Sequence, residues 1–247
     1  MNDGSVYSFG SNTFGQLGLG NTTNQLTPKK VGISNVKEIE ACYFQSLALL
    51  HDGTVWSFGC NNLGQLGIGN TVDQNEPKKI SLSNVKHISC GGCHAYALLE
   101  DGSVYGWGFN NSGQLGGGTP TYCEIIPQYL RLFNVKKIAC GMEHTLALLE
   151  NGELFSWGNN SCGQLGIGNK PNQKTPQKVS LNSVKDISCH GYHSFALLED
   201  GSIYGFGSNK NGQLGIGSTD QQDIPQQLSI NDVKKITCGP FNTFFLQ

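Results

Sequence analysis

The tetrapeptide Gly-Gln-Leu-Gly opens at Gly15, Gly64, Gly113, Gly163 and Gly212, five copies spaced 49, 49, 50 and 49 residues apart. A fixed period of this size marks a chain assembled from stacked supersecondary units. A second marker, the turn dipeptide Asp/Asn-Gly, sits at Asp3-Gly4, Asp52-Gly53, Asp101-Gly102, Asn151-Gly152 and Asp200-Gly201 and keeps the same spacings. Two independent markers in one register exclude coincidence.

Inside each unit the pattern reads as strand. In the second, Val85–Cys90 and Ala95–Leu99 are apolar runs of strand length. Asp101-Gly102 then predicts a type I′ hairpin, and Ser103-Val104-Tyr105-Gly106-Trp107 returns antiparallel. Alternation puts Tyr105 and Trp107 on one face and Val104 on the other. The aromatic pair recurs as Tyr7/Phe9, Trp56/Phe58, Phe155/Trp157 and Tyr204/Phe206, which suits packing between neighbouring sheets. A glycine-rich bend leads to a short fourth strand near Pro77–Ile80. No helical period appears. Four short strands per repeat of about 49 residues is a propeller blade, so the expected fold is an all-β propeller of five four-stranded blades.

The chain starts in mid-repeat at the third strand, and Cys238–Gln247 supplies the first two strands of a unit. One composite blade joining the N- and C-terminal strands would therefore close the ring and leave no free sheet edge. Four spacings plus one more repeat span the 247 residues to within one, so residues 1–247 are expected to form a single domain. The rival is an arc cut from a longer propeller.

Charge narrows the partners. The net charge is −2, and Arg131 is the only arginine beside fifteen lysines. Arginine forks do much of the reading of bases and phosphates, so direct DNA binding is disfavoured. No apolar run approaches the roughly 20 residues of a membrane helix, and no cationic leader precedes the first repeat. Nine cysteines cannot all pair, which fits a reducing compartment, cytoplasm or nucleus. The Asn-x-Ser/Thr matches at Asn21, Asn110 and Asn159 are expected by chance in an Asn-rich chain.

From Cys140 to Gly166 the chain reads Cys-Gly-x-x-His-Thr-x-Ala-Leu-Leu-x-x-Gly-x-Leu-Phe-x-Trp-Gly-x-Asn-x-x-Gly-Gln-Leu-Gly. This string resembles the repeat of the regulator of chromosome condensation family, and the pattern covers the whole chain. The resemblance implies a propeller, usually seven-bladed, and protein partners. The family's founding member is a chromatin-bound exchange factor for the small GTPase Ran. There, acidic and histidine side chains at and before the repeat's His touch the GTPase. Carried over, that loop holds Phe44-Gln45, Cys93-His94, Glu143-His144, Tyr192-His193 and Phe241-Asn242. Glu143 is its one acid, and His94, His144 and His193 keep the imidazole. Repeats of near-equal length leave no room for the exchange factor's β-wedge, and the basic tail used on chromatin is missing. Both weigh against exchange.

Other motifs read better as structure. Cys42, Cys90, Cys140, Cys189 and Cys238 share one phase and suit strand packing. Cys90-Gly-Gly-Cys93-His94 has ligand-like spacing, but no second Cys-x-x-Cys accompanies it, so no metal is expected. Gly64-Gln-Leu-Gly67-Ile-Gly69 resembles a phosphate loop, yet no helix follows it. The three histidines, on neighbouring units at one phase, suit structural hydrogen bonds better than a base cluster.

The third unit breaks the pattern. It carries the extra residue and an apolar segment, Thr119–Phe133, where other units are polar. Tyr122, Tyr129 and Arg131 there have the composition of an interface hot spot. The alternative is a strand that happens to be more apolar. The expected function is protein binding through one ring face, with no catalytic residues and no cofactor. The alternative is guanine-nucleotide exchange on a Ran-like or other small GTPase, through Glu143, His144, His94 and His193. A protein partner, with chromatin among the candidates, follows from either.

Overall fold

The computed structural model describes residues 4–119 and 121–247. Asp3 of the first turn dipeptide and Pro120 of the third-unit segment lie outside them. The described residues hold twenty strands. In chain order these are β1 (Tyr7–Gly10), β2 (Gln25–Lys30), β3 (Val36–Cys42), β4 (Gln45–Leu50), β5 (Val55–Gly59), β6 (Gln74–Lys79), β7 (Val85–Cys90), β8 (His94–Leu99), β9 (Val104–Phe109) and β10 (Cys123–Leu130). The rest are β11 (Val135–Cys140), β12 (His144–Leu149), β13 (Leu154–Gly158), β14 (Gln173–Lys178), β15 (Val184–His190), β16 (His193–Leu198), β17 (Ile203–Gly207), β18 (Gln222–Gln227), β19 (Lys235–Cys238) and β20 (Thr243–Leu246). No described helix is long and apolar enough to cross a membrane.

The chain divides into two compact units, Met1–Phe109 with Thr121–Tyr129, and Asn110–Pro120 with Leu130–Gln247. Four sheets are complete four-stranded meanders: β3 to β6, β7 to β10, β11 to β14 and β15 to β18. The blade architecture expected from the repeat is therefore present. The terminal strands form two two-stranded sheets, β1–β2 and β19–β20, each packed on a complete blade. Val6 with Val31 and Ile33 packs on Ala48 and Trp56 of the next blade. Ile236 and Phe245 pack on Phe195, Leu197 and Ile203 of the preceding one.

Apolar residues at alternate strand positions make the core. In the first unit Leu47 and Leu49 of one blade pack with Ile88, Ala97 and Trp107 of the next. In the second unit Leu146 and Leu148 meet Ile187, Ala196 and Phe206. Neighbouring blades thus bury each other's faces, a contact no single blade could supply.

The type I′ expectation for the hairpins is corrected. Only the glycines Gly53, Gly102, Gly152 and Gly201 have positive φ, between 76° and 83°. Gly53 N–H closes onto Leu50 O at 3.0 Å, and the residue before the glycine stays out of the left-handed region. That is a turn ending in a glycine bulge. The side chain decides it, because Asp52 accepts Thr54 N–H at 2.9 Å and Thr54 Oγ1 at 2.7 Å. Asp101 and Asp200 accept from Ser103 and Ser202 in the same way. These bonds hold all three carboxyls below the usual range.

Candidate functional site

The Cys-Gly-x-x-His loops at Cys90–His94 and Cys140–His144, and their counterparts in the other units, join the first and second strands of a blade. In the third complete blade Gly141 N–H donates to His144 O at 2.8 Å. A Cβ on Gly141 would lie 2.0 Å from the His144 ring, so the imidazole packs directly against the glycine. His94, His144 and His193 are all fully buried. His144 Nε2 lies 2.9 Å from Ser194 Oγ of the next blade, and Ser194 donates to Gln164 O at 2.8 Å. The serine's one proton is spent on Gln164, so the imidazole is the donor to Oγ. His193 repeats the pattern at 3.2 Å to Thr243 Oγ1, which donates to Gln213 O at 2.9 Å. Burial lowers the pKa of His94 to about 3 and that of His193 to about 4. The His144 and His193 rings tie one blade to the next, and burial favours the neutral form of His94 and His193. None of the three rings is exposed at the surface.

Glu143 differs. It is half-buried, and its Oε2 accepts Ser112 Oγ at 3.0 Å and Asn159 Nδ2 at 3.2 Å. Its backbone carbonyl takes Asn159 N–H at 2.8 Å, as those of Phe44, Cys93 and Tyr192 take Cys60, Phe109 and Ser208 N–H. The loop therefore fixes the carboxylate while leaving it partly open.

The Gly-Gln-Leu-Gly turns are packing devices. Gln65 Oε1 accepts Leu63 N–H, and Gln65 O accepts Trp107 Nε1 at 3.0 Å. Gly67, at φ 68°, leaves room for that indole, since a Cβ would stand 2.8 Å from it. Sequence reasoning missed the asparagine three residues ahead of each turn. Asn61 is buried, donates to Asn70 O at 2.8 Å and Val72 O at 3.2 Å, and accepts Leu66 N–H at 3.0 Å. Its recurrence as Asn12, Asn110, Asn160 and Asn209 was the available signal. The Tyr43-Phe44 turn was missed too. Tyr43 sits at φ 44°, exposed beside Phe44, whose ring lies 5.0 Å from that of Phe14.

The metal-like spacing of Cys90, Cys93 and His94 is not what the fold brings together. Ligand atoms of Glu40, Cys42 and Cys90, from neighbouring blades, lie within 4.8 Å of one another. Cys42 donates its thiol proton to Cys90 O at 2.8 Å, a packing role. Three donors fall short of a closed tetrahedral zinc site.

The third-unit segment becomes β10, eight residues long where the other outer strands have six or fewer. It is the edge of its sheet. Tyr122, Ile126 and Tyr129 are exposed along it. Tyr122 sets its ring edge-on to Phe109 at 5.4 Å, and Tyr129 tilts against Tyr105 at 5.6 Å. In the other units the place of Tyr129 is taken by Lys30, Lys79, Lys178 and Gln227. Charged residues on edge strands discourage pairing with other chains, and at this position β10 carries a tyrosine instead. Arg131 is exposed just beyond β10, in the second unit.

With this geometry in hand the comparisons can be read. A sequence comparison with curated proteins gave no match. Yeast RCC1 (Prp20), solved bound to Kap60, is similar at 24% identity and a TM-score of 0.87 over 97% of this chain and 61% of that one. Human WBSCR16 is similar at 26% identity and a TM-score of 0.89, covering 100% of this chain and 68% of that one. Prp20p from Saccharomyces cerevisiae, described with its binding to Gsp1p and histones, matches at 20% identity and a TM-score of 0.68. The chain thus spans 61% of the length of the first of these structures. The model of the Regulator of chromosome condensation (RCC1) repeat matches residues 3–49, 52–98, 101–148, 151–197 and 200–246. The chain belongs to the RCC1 repeat family.

Proposed function

We propose that this chain is a protein-interaction propeller that binds a protein partner along the β10 edge, without chemistry of its own. One observation carries the reading. Tyr129 is exposed where the repeat elsewhere places lysine and glutamine, and Tyr122 and Ile126 are exposed near it. Such side chains are what buried interface anchors are made of. The yeast relative's described binding to Gsp1p and histones supports a protein partner, a small Ras-type GTPase such as Ran or a chromatin component, in cytoplasm or nucleus. The test is capture of partners by the wild-type chain and by Tyr122→Ala, Tyr129→Ala and Arg131→Ala forms. A folded triple variant that keeps every partner sinks the proposal.

A second reading, guanine-nucleotide exchange, is favoured by Glu143, an oriented and partly open carboxylate on the loop that the family resemblance singles out. Nucleotide release from a panel of small GTPases separates the two. Acceleration that Glu143→Ala abolishes would establish exchange, and no acceleration leaves the binding module.

A further inference from the structure

We propose that the seam between β3 and β7 binds a zinc ion, held by a carboxylate oxygen of Glu40 and the thiolates of Cys42 and Cys90, with water at the fourth position.

Strand register brings the three donors together. Cys90, Cys140 and Cys189 pair opposite Ala95, Thr145 and Ser194 in their blades. Ser46 stands at that place in the first complete blade, but its partner is Ala41, and Cys42 pairs one step later with Gln45. Two residues separate Cys42 from Gln45, where three separate Cys90 from His94. Successive strand residues point to opposite faces, so this shift by one turns Cys42 over. Cys90 then faces back across the seam while Cys42 faces forward, and Cys42 donates its thiol proton to Cys90 O at 2.8 Å. Glu40, two residues before Cys42, shares its face. A carboxylate oxygen of Glu40 and the two Sγ atoms lie within 4.8 Å of one another, the one such trio among the described residues.

The matching seam of the second unit, between β11 and β15, has the same frame without the donors. There Lys137 pairs with Asp186 at 2.6 Å, as Glu38 pairs with His87 at 2.7 Å in the first unit. The strands of the two seams are therefore aligned alike. Cys189 holds the place of Cys90 and packs in one cluster with Ala139. Ala139 and Gly141 hold the places of Glu40 and Cys42. Where packing alone is served by alanine and glycine, the first unit sets a carboxylate and a second thiol.

The donor chemistry selects the ion. Two thiolates and a carboxylate suit zinc, whose sites with three protein ligands keep a position open to water. Around tetrahedral zinc such donors sit about 3.5–3.8 Å apart, so the trio needs to close by about 1.3 Å at most. Cys42 and Cys90 are buried and Glu40 is half-buried, which shields the thiolates and leaves the carboxylate as the way in. Binding releases both thiol protons to solvent and gives up the bond from Cys42 to Cys90 O. The bound ion clamps one blade to the next.

Cobalt(II), a zinc substitute whose thiolate complexes absorb in the near ultraviolet, is the probe, added to the whole chain with its cysteines reduced and after treatment with a chelator. Titration should develop the thiolate-to-cobalt band with saturation at one equivalent, and zinc should bleach it and raise Tm. Cys42→Ser and Cys90→Ser should each weaken cobalt binding by about 100-fold or more, beyond the loss of an outer-shell partner, and Glu40→Gln by about 10-fold. Cys93→Ser should leave binding unchanged, because the Cys90-Gly-Gly-Cys93-His94 spacing is not the ligand set. A double variant, Glu40→Ala with Cys42→Gly, copies the seam of the second unit, so it should keep the wild-type circular dichroism and lose the band. A wild-type chain that gives no band at about 100 µM cobalt overturns the proposal. So does a band that the double variant keeps, or one that Cys93→Ser abolishes.

Discussion

The Cys-Gly-x-x-His loops and the β10 edge are built from the same repeat and use it in opposite ways. In the loops, what recurs is buried: His144 ties to Ser194, and Ser194 to the Gln164 carbonyl. Along β10, what departs from the repeat is exposed, with Tyr129 standing where three other units have lysine. Recurrence in this chain reports what holds one blade to the next. Departure reports where a surface is free to do something else.

Three experiments press on that contrast. The largest effect belongs to a residue that every unit shares. Gly67→Val places a branched side chain at φ 68° and drives its Cβ to 2.8 Å from Trp107. A loss of about 3 kcal/mol or more is expected in urea unfolding, from backbone strain and overpacking together. An unchanged midpoint would break the claim that the turn is a packing device.

The intermediate effect is acid sensitivity. His94 and His193 are buried neutral, so the unfolded chain binds more protons than the folded one once pH drops below about 6.5. Stability is full above that value and falls as pH drops toward the folded-state pKa values of about 3 and about 4. Between pH 7 and pH 5 each is expected to cost on the order of 2 kcal/mol. His94→Gln, borrowing the residue that Gln45 supplies at the same phase, should flatten the slope of Tm against pH. A slope that His94→Gln leaves unchanged would count against the buried imidazole.

The smallest effect on stability belongs to β10. Tyr122→Ala with Tyr129→Ala should cost no more than about 1 kcal/mol, as exposed side chains away from special backbone do. The same pair should weaken partner binding by about 10-fold or more if it is the anchor. Equal losses in both measurements would make β10 an ordinary strand and erase the contrast.

The fold was legible in particular residues. The Gly-Gln-Leu-Gly spacing marked the repeats. Trp107 of the Tyr105/Trp107 pair packs between blades, whereas Tyr105 is half-buried and Val104 on the other face is buried too. The turn type was misread, because Asp52 bonds forward to Thr54 and that bond outweighs the dipeptide's general preference. At the site, the apolar character of Tyr122 and Tyr129 was visible in sequence, whereas the burial of His94, His144 and His193 was not. A histidine three residues past a glycine reads alike whether its ring faces solvent or lies against Gly141.

By itself the sequence determined the repeat, its strands and their alternation, since these depend on local spacing and on which side chains seek water. Tertiary structure alone decided which positions are covered. Glu143 and His144 are adjacent in sequence, yet one is half-buried and the other fully buried. The difference lies in the next blade, whose Ser194 stands against the His144 imidazole. Neither residue's own sequence neighbourhood encodes that.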